Sequence, residues 1–229
     1  MINEAWKNIF NLALKHLEQS KLPQHTWTFG GGTVLMHKFN HRLSKDIDIF
    51  FNDKQLLSYI SPRVNDSLDD KIIDFIEQDN FVKIYLPFGE IDFIVAHQIS
   101  SCLPQKKDFN NVQVNVEHPV EIISKKIAYR CKDFKPRDIF DLAIVYSNLR
   151  NTLMTNIKIE KDNFVDLKER IKILSQSDGL KVGLNDINIL SGGERIRGKE
   201  LNICSNFILE FENKLAQEKG RKSSLGLSL

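Results

Sequence analysis

Phe29-Gly30-Gly31-Gly32-Thr33-Val34-Leu35 and, after Met36 to Asn40, His41-Arg42-Leu43-Ser44-Lys45-Asp46-Ile47-Asp48-Ile49-Phe50-Phe51 form the stretch that decides how this chain folds. From Asp46 onward polar and apolar residues alternate, the signature of a half-buried strand. Strand geometry then sends Asp46 and Asp48 to one face and Ile47, Ile49 and Phe51 to the other, where a core can take them. Two carboxylates aimed the same way repel unless a cation lies between them. Hard oxygen donors at this spacing suit Mg²⁺ or Mn²⁺, ions that keep some water and also take phosphate oxygens. Upstream, Thr26 to Phe29 is β-prone, the glycine triplet breaks it, and a short helix is expected over 33–39. Glycine lets backbone N–H groups approach phosphate oxygens, and a helix start favours negative charge. Gly31, Gly32 and Thr33 are therefore candidates for a phosphate cradle, with Arg42 and Ser44 as further contacts.

Before this stretch, Trp6, Ile9, Phe10, Ala13 and Leu17 recur at helical spacing and predict an amphipathic helix over 3–20. After it, helices are expected at 54–60 and 67–78. Strands are expected at 81–86, 90–96 and 112–116, the first two joined as a hairpin at Pro87-Phe88-Gly89. Beyond His118-Pro119 the texture turns helical, at 120–131, 136–148, 161–175 and 199–218, with a polar link before the last. The chain reads as α+β. Its sheet-forming part is expected over 1–118, a helical region completing the site over 119–220, and a flexible tail over 221–229.

Composition narrows the chemistry. The 229 residues are 41% hydrophobic and 27% charged, which excludes a disordered chain, and a net charge of +2 excludes a polycation. Nucleic acid would have to be met by a local patch. Lys125, Lys126, Arg130, Lys132, Lys135 and Arg137, with Tyr129 and Phe134 interleaved, could be such a patch or a solvated face with phosphate contacts. Cys102, Cys131 and Cys204 lie far apart, and the six histidines show no ligand spacing, so neither a disulfide framework nor zinc is expected. Met1 to Trp6 lacks the design of a signal peptide, and no apolar run approaches the ~20 residues that cross a bilayer. A cytoplasmic protein without membrane contact is the expectation. Leu190-Ser191-Gly192-Gly193-Glu194 looks like the ABC-type ATPase signature, but no G-x-x-x-x-G-K-[ST] loop accompanies it. It reads as a polar turn.

The G-G-T-x-L turn followed by H-R-x-S-x-D-I-D-I-F resembles the AbiEii/AbiGii-type toxin family of the nucleotidyltransferase superfamily, relatives of the MenT toxins, with Ile49 in place of the usual leucine. The resemblance covers roughly residues 25–148. It implies a DNA polymerase β-like nucleotidyltransferase core, a bound nucleoside triphosphate and a divalent metal, Mg²⁺ or Mn²⁺, held by Asp46 and Asp48. A third metal carboxylate is then expected from Glu90-Ile91-Asp92, with Asp92, set mid-strand, the better placed. In the helix from Glu121, Lys126 resembles the triphosphate-binding lysine of the toxins, and Arg130 stands one turn on. In Arg137-Asp138-Ile139-Phe140-Asp141-Leu142, Asp141 is expected to pair with Arg137 or to hold Lys126. Asp138 is the weaker choice for that role and more naturally a helix-start carboxylate. The implied activity is that of a toxin moving NMP from an NTP to a hydroxyl such as a tRNA 3′ end, with a cognate antitoxin as partner. The rival expectations are a nucleotide-binding regulatory module without transfer and nucleotidylation of a protein hydroxyl.

Overall fold

The computed structural model describes residues 5–224. Helix α1 (Ala5–Gln19) opens the chain. Strand β1 (Trp27–Gly30), helix α2 (Gly31–Phe39), strand β2 (Ile47–Phe51) and the short helix α3 (Leu57–Ile60) follow. Next come β3 (Asp74–Gln78), β4 (Phe81–Leu86), β5 (Gly89–Val95), β6 (Gln105–Phe109) and β7 (Val112–Val116). Helices α4 (Pro119–Arg130), α5 (Pro136–Asn156), α6 (Lys161–Ser175), α7 (Asp178–Asn185) and α8 (Glu200–Ser224) complete the described chain. Residues 225–229 of the expected flexible tail lie outside the described residues, and 221–224 belong to α8.

The strands form one seven-stranded sheet in the order β3-β4-β5-β2-β1-β7-β6. β2 runs parallel to β5 and antiparallel to β1, and β1 runs parallel to β7, so the sheet is mixed. This is the α+β architecture, a mixed sheet flanked by helices, that the sequence leads one to expect. Ile47, Ile49 and Phe51 are fully buried on one face, where α1 packs across β2 and β5. Phe10 of α1 meets Phe29 of β1 with ring centroids 4.8 Å apart. The alternation along β2 therefore does what its pattern requires: apolar side chains go under α1 and carboxylates go to the opposite face. One hydrophobic cluster runs from Trp6 through the sheet to Phe211 of α8.

Four expectations are corrected. The helix expected over 67–78 is a turn followed by β3. Gln78 pairs with Phe81 across the two-residue loop Asp79-Asn80, and hairpin pairing outweighs the helical spacing of Ile72, Phe75 and Ile76. Strand β6 was not expected. Its hairpin to β7 turns at Asn110 and Asn111, both left-handed at φ 50° and 65°, as a two-residue type I′ connection demands. The polar link before 199 contains α7, capped by Ser177, whose side chain accepts from the Gly179 N–H. Helix α5 also outruns its expected end at 148: backbone angles leave the helical region at Leu149 (φ −131°, ψ 31°) and the helix then resumes.

Candidate active site

Strand register lines up the central row of the site. Gly30 pairs with Asp48, Asp48 with Asp92, and Asp92 with Lys83, across four neighbouring strands. Asp46 just precedes β2 and receives a hydrogen bond from the Glu90 backbone. Above Asp48 lies the start of α2. Gly31 has φ +72°, and a Cβ there would fall 1.8 Å from Asp48 Oδ2. Both the left-handed backbone and the contact exclude a side chain, so bare backbone sits directly against the carboxylate. Gly32 is similarly close to Arg42 Nη2 and Ser44 Oγ, each 2.8 Å from a Cβ placed on it. The row opens into a cleft of about 420 Å³, walled on the far side by Lys126 and Arg130 of α4 and by Arg137 of α5. That volume is within the range of small-molecule sites.

The carboxylates of this row are held in a hostile field. Desolvation, then Glu90 and Asp48, push the Asp46 pKa up. Desolvation also raises Asp48, against the pull of Arg130, Lys126 and Arg137. Asp92 is pushed up to about 6 by burial and by Asp48, with Lys83 opposing. A folded Asp92 thus keeps its proton to about pH 6, whereas an ordinary carboxyl at 3.8 has already lost it. The folded state binds the extra proton in that window, so this group favours folding at low pH and the benefit is lost as pH rises through 6. Asp92→Asn is accordingly expected to raise the melting temperature at pH 8 in chelator and to leave it nearly unchanged at pH 4. An equal shift at both pH values would contradict this.

The basic side of the cleft is organised by a carboxylate that does not line it. Asp141 is fully buried. Its Oδ1 accepts from Arg42 Nε and faces His41 Nε2, each at 2.7 Å, and its Oδ2 accepts from Arg42 Nη2 at 2.7 Å. Lys126 Nζ lies 2.8 Å from the same Oδ2 and also donates to Asp138. Burial would raise the Asp141 pKa, but Arg42, Lys126 and the hydrogen bond from His41 hold it well below the usual carboxylate range. Of the two sequence expectations for Asp141, the structure places it on Lys126; the cation it pairs with besides is Arg42 rather than Arg137. Asp138 holds Lys126 and also accepts from the Lys135 N–H as the helix-start carboxylate of α5. Arg130 lies 4.0 Å from Asp138. Thr33 is buried, and its hydroxyl donates to the Asp46 carbonyl at 2.6 Å, tying α2 to the carboxylate strand beneath the cleft. Ser44, 3.2 Å from that hydroxyl, lines the cleft itself.

Two parts of the site were not legible beforehand. Lys83 of β4 donates to Glu90 Oε1 at 2.7 Å and to Asp92 Oδ2 at 2.9 Å. In sequence it is one polar residue of an alternating strand, and only β4–β5 register brings it to Asp92. The second part is the Leu190 to Glu194 turn, which straps the segment carrying His41 and Arg42. Leu43 N–H donates to Asn188 O, Leu190 N–H to His41 O, and Gly192 N–H to Asn40 O. A Cβ on Gly192 would fall 1.9 Å from the Phe39 carbonyl oxygen, and one on Gly193 2.2 Å from that of His41. The two glycines serve close backbone approach to the site loop. The run from Lys125 to Arg137, in contrast, does not form one basic surface. Lys125 is buried against Glu117, Phe134 is core, and Lys132 turns to Asp166 at 3.6 Å.

Among the described residues no group of three or more His, Cys, Asp or Glu side chains is arranged to hold a metal ion. Two of the donors nonetheless fit a divalent ion between them. Asp46 and Asp48 are adjacent hard carboxylates whose charged forms are only partly compensated, and one or two carboxylates plus substrate phosphates is how Mg²⁺ is usually bound. Asp92 is different: Oδ2 is taken by Lys83, and Oδ1 is buried without a hydrogen-bond partner. No helix among the described residues is long and apolar enough to cross a membrane.

Residues 13–164, well over half of the chain, match the AbiEii family, described as nucleotidyl transferase AbiEii toxin of a type IV toxin–antitoxin system. No curated protein matches significantly in sequence. Among solved structures, a chain from H. pylori assigned as a nucleotidyltransferase is 16% identical, with 92% of this chain and 96% of that one covered at a TM-score of 0.47. The nucleotidyltransferase toxin MenT4 from Mycobacterium tuberculosis is 13% identical, with 90% and 92% covered at 0.41. The antibiotic-resistance factor ANT(2'')-Ia is 11% identical, with 81% and 91% covered at 0.39. All three TM-scores lie under 0.5, so the fold rests on the sheet and helices described above.

Proposed function

Because the chain belongs to the AbiEii family of nucleotidyl transferase toxins, we propose that it moves a nucleoside monophosphate from a nucleoside triphosphate onto a hydroxyl of an RNA acceptor, such as a tRNA 3′ end. The observation that carries this reading is the Gly30–Asp48–Asp92 row with the bare Gly31 backbone against Asp48, facing Lys126 and Arg130 across one cleft. Backbone that approaches phosphate oxygens, carboxylates for a cation and amino or guanidinium groups for the remaining charge are what phosphoryl transfer requires.

Asp46 and Asp48 would hold Mg²⁺ or Mn²⁺, with Asp92, expected from the sequence as a third ligand, standing beside them on β5 and paired to Lys83. When bound, the ion supplies Lewis-acid stabilisation of charge at the α-phosphate. The Gly31 and Gly32 backbone and the Ser44 hydroxyl orient the triphosphate. Arg42, fixed by Asp141, keeps two of its five N–H donors for the cleft, since Nε, Nη1 and Nη2 each donate once within the chain. Lys126 and Arg130, held by Asp138 and Asp141, offset the charge of the leaving pyrophosphate. The acceptor hydroxyl oxygen bonds to the α-phosphorus and gives up its proton to water, as the bond to the bridging oxygen of the β-phosphate breaks and pyrophosphate leaves. Catalysis by these residues is placement and charge neutralisation. A cognate antitoxin is the protein partner that the family brings with it.

The test is incubation with each α-labelled nucleoside triphosphate, Mg²⁺ and total tRNA. Label on RNA with release of pyrophosphate is the expected result. Nucleotide bound without pyrophosphate release would favour a regulatory module, and label on a co-expressed protein would move the acceptor to a protein hydroxyl.

A further inference from the structure

Glu90 and Asp92 stand on the site face of β5, and a cation of the chain itself already lies between them. The Lys83 ammonium is 2.7 Å from Glu90 Oε1 and 2.9 Å from Asp92 Oδ2. Its position is set by strand pairing, with Lys83 opposite Asp92 and Tyr85 opposite Glu90, and the ammonium also lies 5.8 Å from the Tyr85 ring centroid. The lysine side chain is 21% exposed and that of Asp92 12%, so the pair is sheltered on the cleft wall rather than screened at the surface. Asp46 and Asp48, one strand over, form no ion pair with a lysine or arginine among the described residues. Four carboxylates thus divide into two with a resident cation and two without.

We infer that Lys83 takes the place of a second divalent ion on the Glu90–Asp92 side of the cleft, so that the chain works with one ion, held by Asp46 and Asp48. The inference rests on the nucleotidyl-transfer reading and deepens it. A divalent ion approaching Asp92 would find Oδ2 taken by the Lys83 ammonium and Oδ1 buried, so it would have to displace a cation already in place to reach the carboxylate. Lys83 is on this account a positioning residue that fixes Asp92.

The experiment counts Mn²⁺ alone on the intact chain, by the electron paramagnetic resonance of free ion and by titration calorimetry, without nucleotide. Wild type is expected to bind one ion and Asp46→Asn with Asp48→Asn none at the same concentration. Lys83→Gln is expected to gain a second ion, or to bind the first roughly tenfold tighter. Lys83→Arg, which keeps the charge, should stay at one. Two ions on wild type would overturn the inference and leave the transfer reading standing. A Lys83→Gln variant that melts normally and binds as wild type does would reduce Lys83 to a cross-strand pair. No ion on wild type would remove the metal reading itself, and this inference with it. If Lys83→Gln does not fold, the wild-type count and Lys83→Arg still decide.

Discussion

Exchanging Asp46 and Asp48 together for asparagine is expected to lower nucleotide transfer by on the order of 10³-fold or more, with no loss of stability. The two halves of this expectation have one cause. Both carboxylates have raised pKa values, from desolvation first and, for Asp46, from Glu90 and Asp48 next. The folded chain therefore favours their neutral forms, and any stability they lend is confined to low pH and lost as pH rises through the raised values. At neutral pH an amide of the same shape removes an unfavourable charge from the cleft, so the melting temperature in chelator should hold or rise. Residues kept against stability in this way are what a working site contains. Transfer within tenfold of wild type would show that the pair does not carry the chemistry. A collapse in melting temperature would show that the loss of activity is structural.

Asp141→Ala is expected to do the reverse and cost about 3–5 kcal/mol of stability, measured by denaturant unfolding. Asp141 is completely buried, and it accepts from Arg42 through two nitrogens and from His41 and Lys126. Arg42 is 6% exposed, and without the carboxylate its guanidinium loses its hydrogen-bonded counter-ion and keeps only the weaker pull of Asp138 and Asp48. Breaking such a cluster by deleting one partner leaves a buried charge uncompensated, which is why the cost exceeds that of a surface pair. Asp141 has a lowered pKa, so its contribution is present at neutral pH and is lost as pH falls below the ordinary 3.8. The gap between wild type and variant should accordingly narrow in strong acid. A cost below about 1 kcal/mol at pH 7 would mean that Arg42 finds water on its own and that the cluster is not sealed.

How much of this was legible in the chain differs from element to element. The carboxylate strand, the glycine turn, the β4–β5 hairpin and the start of α4 are local patterns, each fixed by neighbours within a few residues. Strand β3 is ambiguous in the sequence because Ile72, Phe75 and Ile76 fit a helix as well as a strand. The deciding contact was the hairpin across Asp79-Asn80. Strand β6, with Lys106 and Lys107 on an exposed edge, has little alternation to find. The signal that could have found it is the Asn110-Asn111 pair, a left-handed turn dipeptide.

The sequence by itself determined that paired aspartates lie on one face of a strand, downstream of a glycine turn and a short helix. Period-two geometry and the conformational freedom of glycine leave few other outcomes. Tertiary structure alone decided which groups stand around those aspartates. Asp141 reaches Arg42 across 99 residues of chain, and Asn40 meets Ser191 across 151. Lys83 meets Asp92 only because β4 and β5 pair in one register, and a slip of one residue would turn it to the opposite face. Charges act through space at the distances that folding sets, so the state of each carboxylate, and with it the chemistry it can do, belongs to the folded chain.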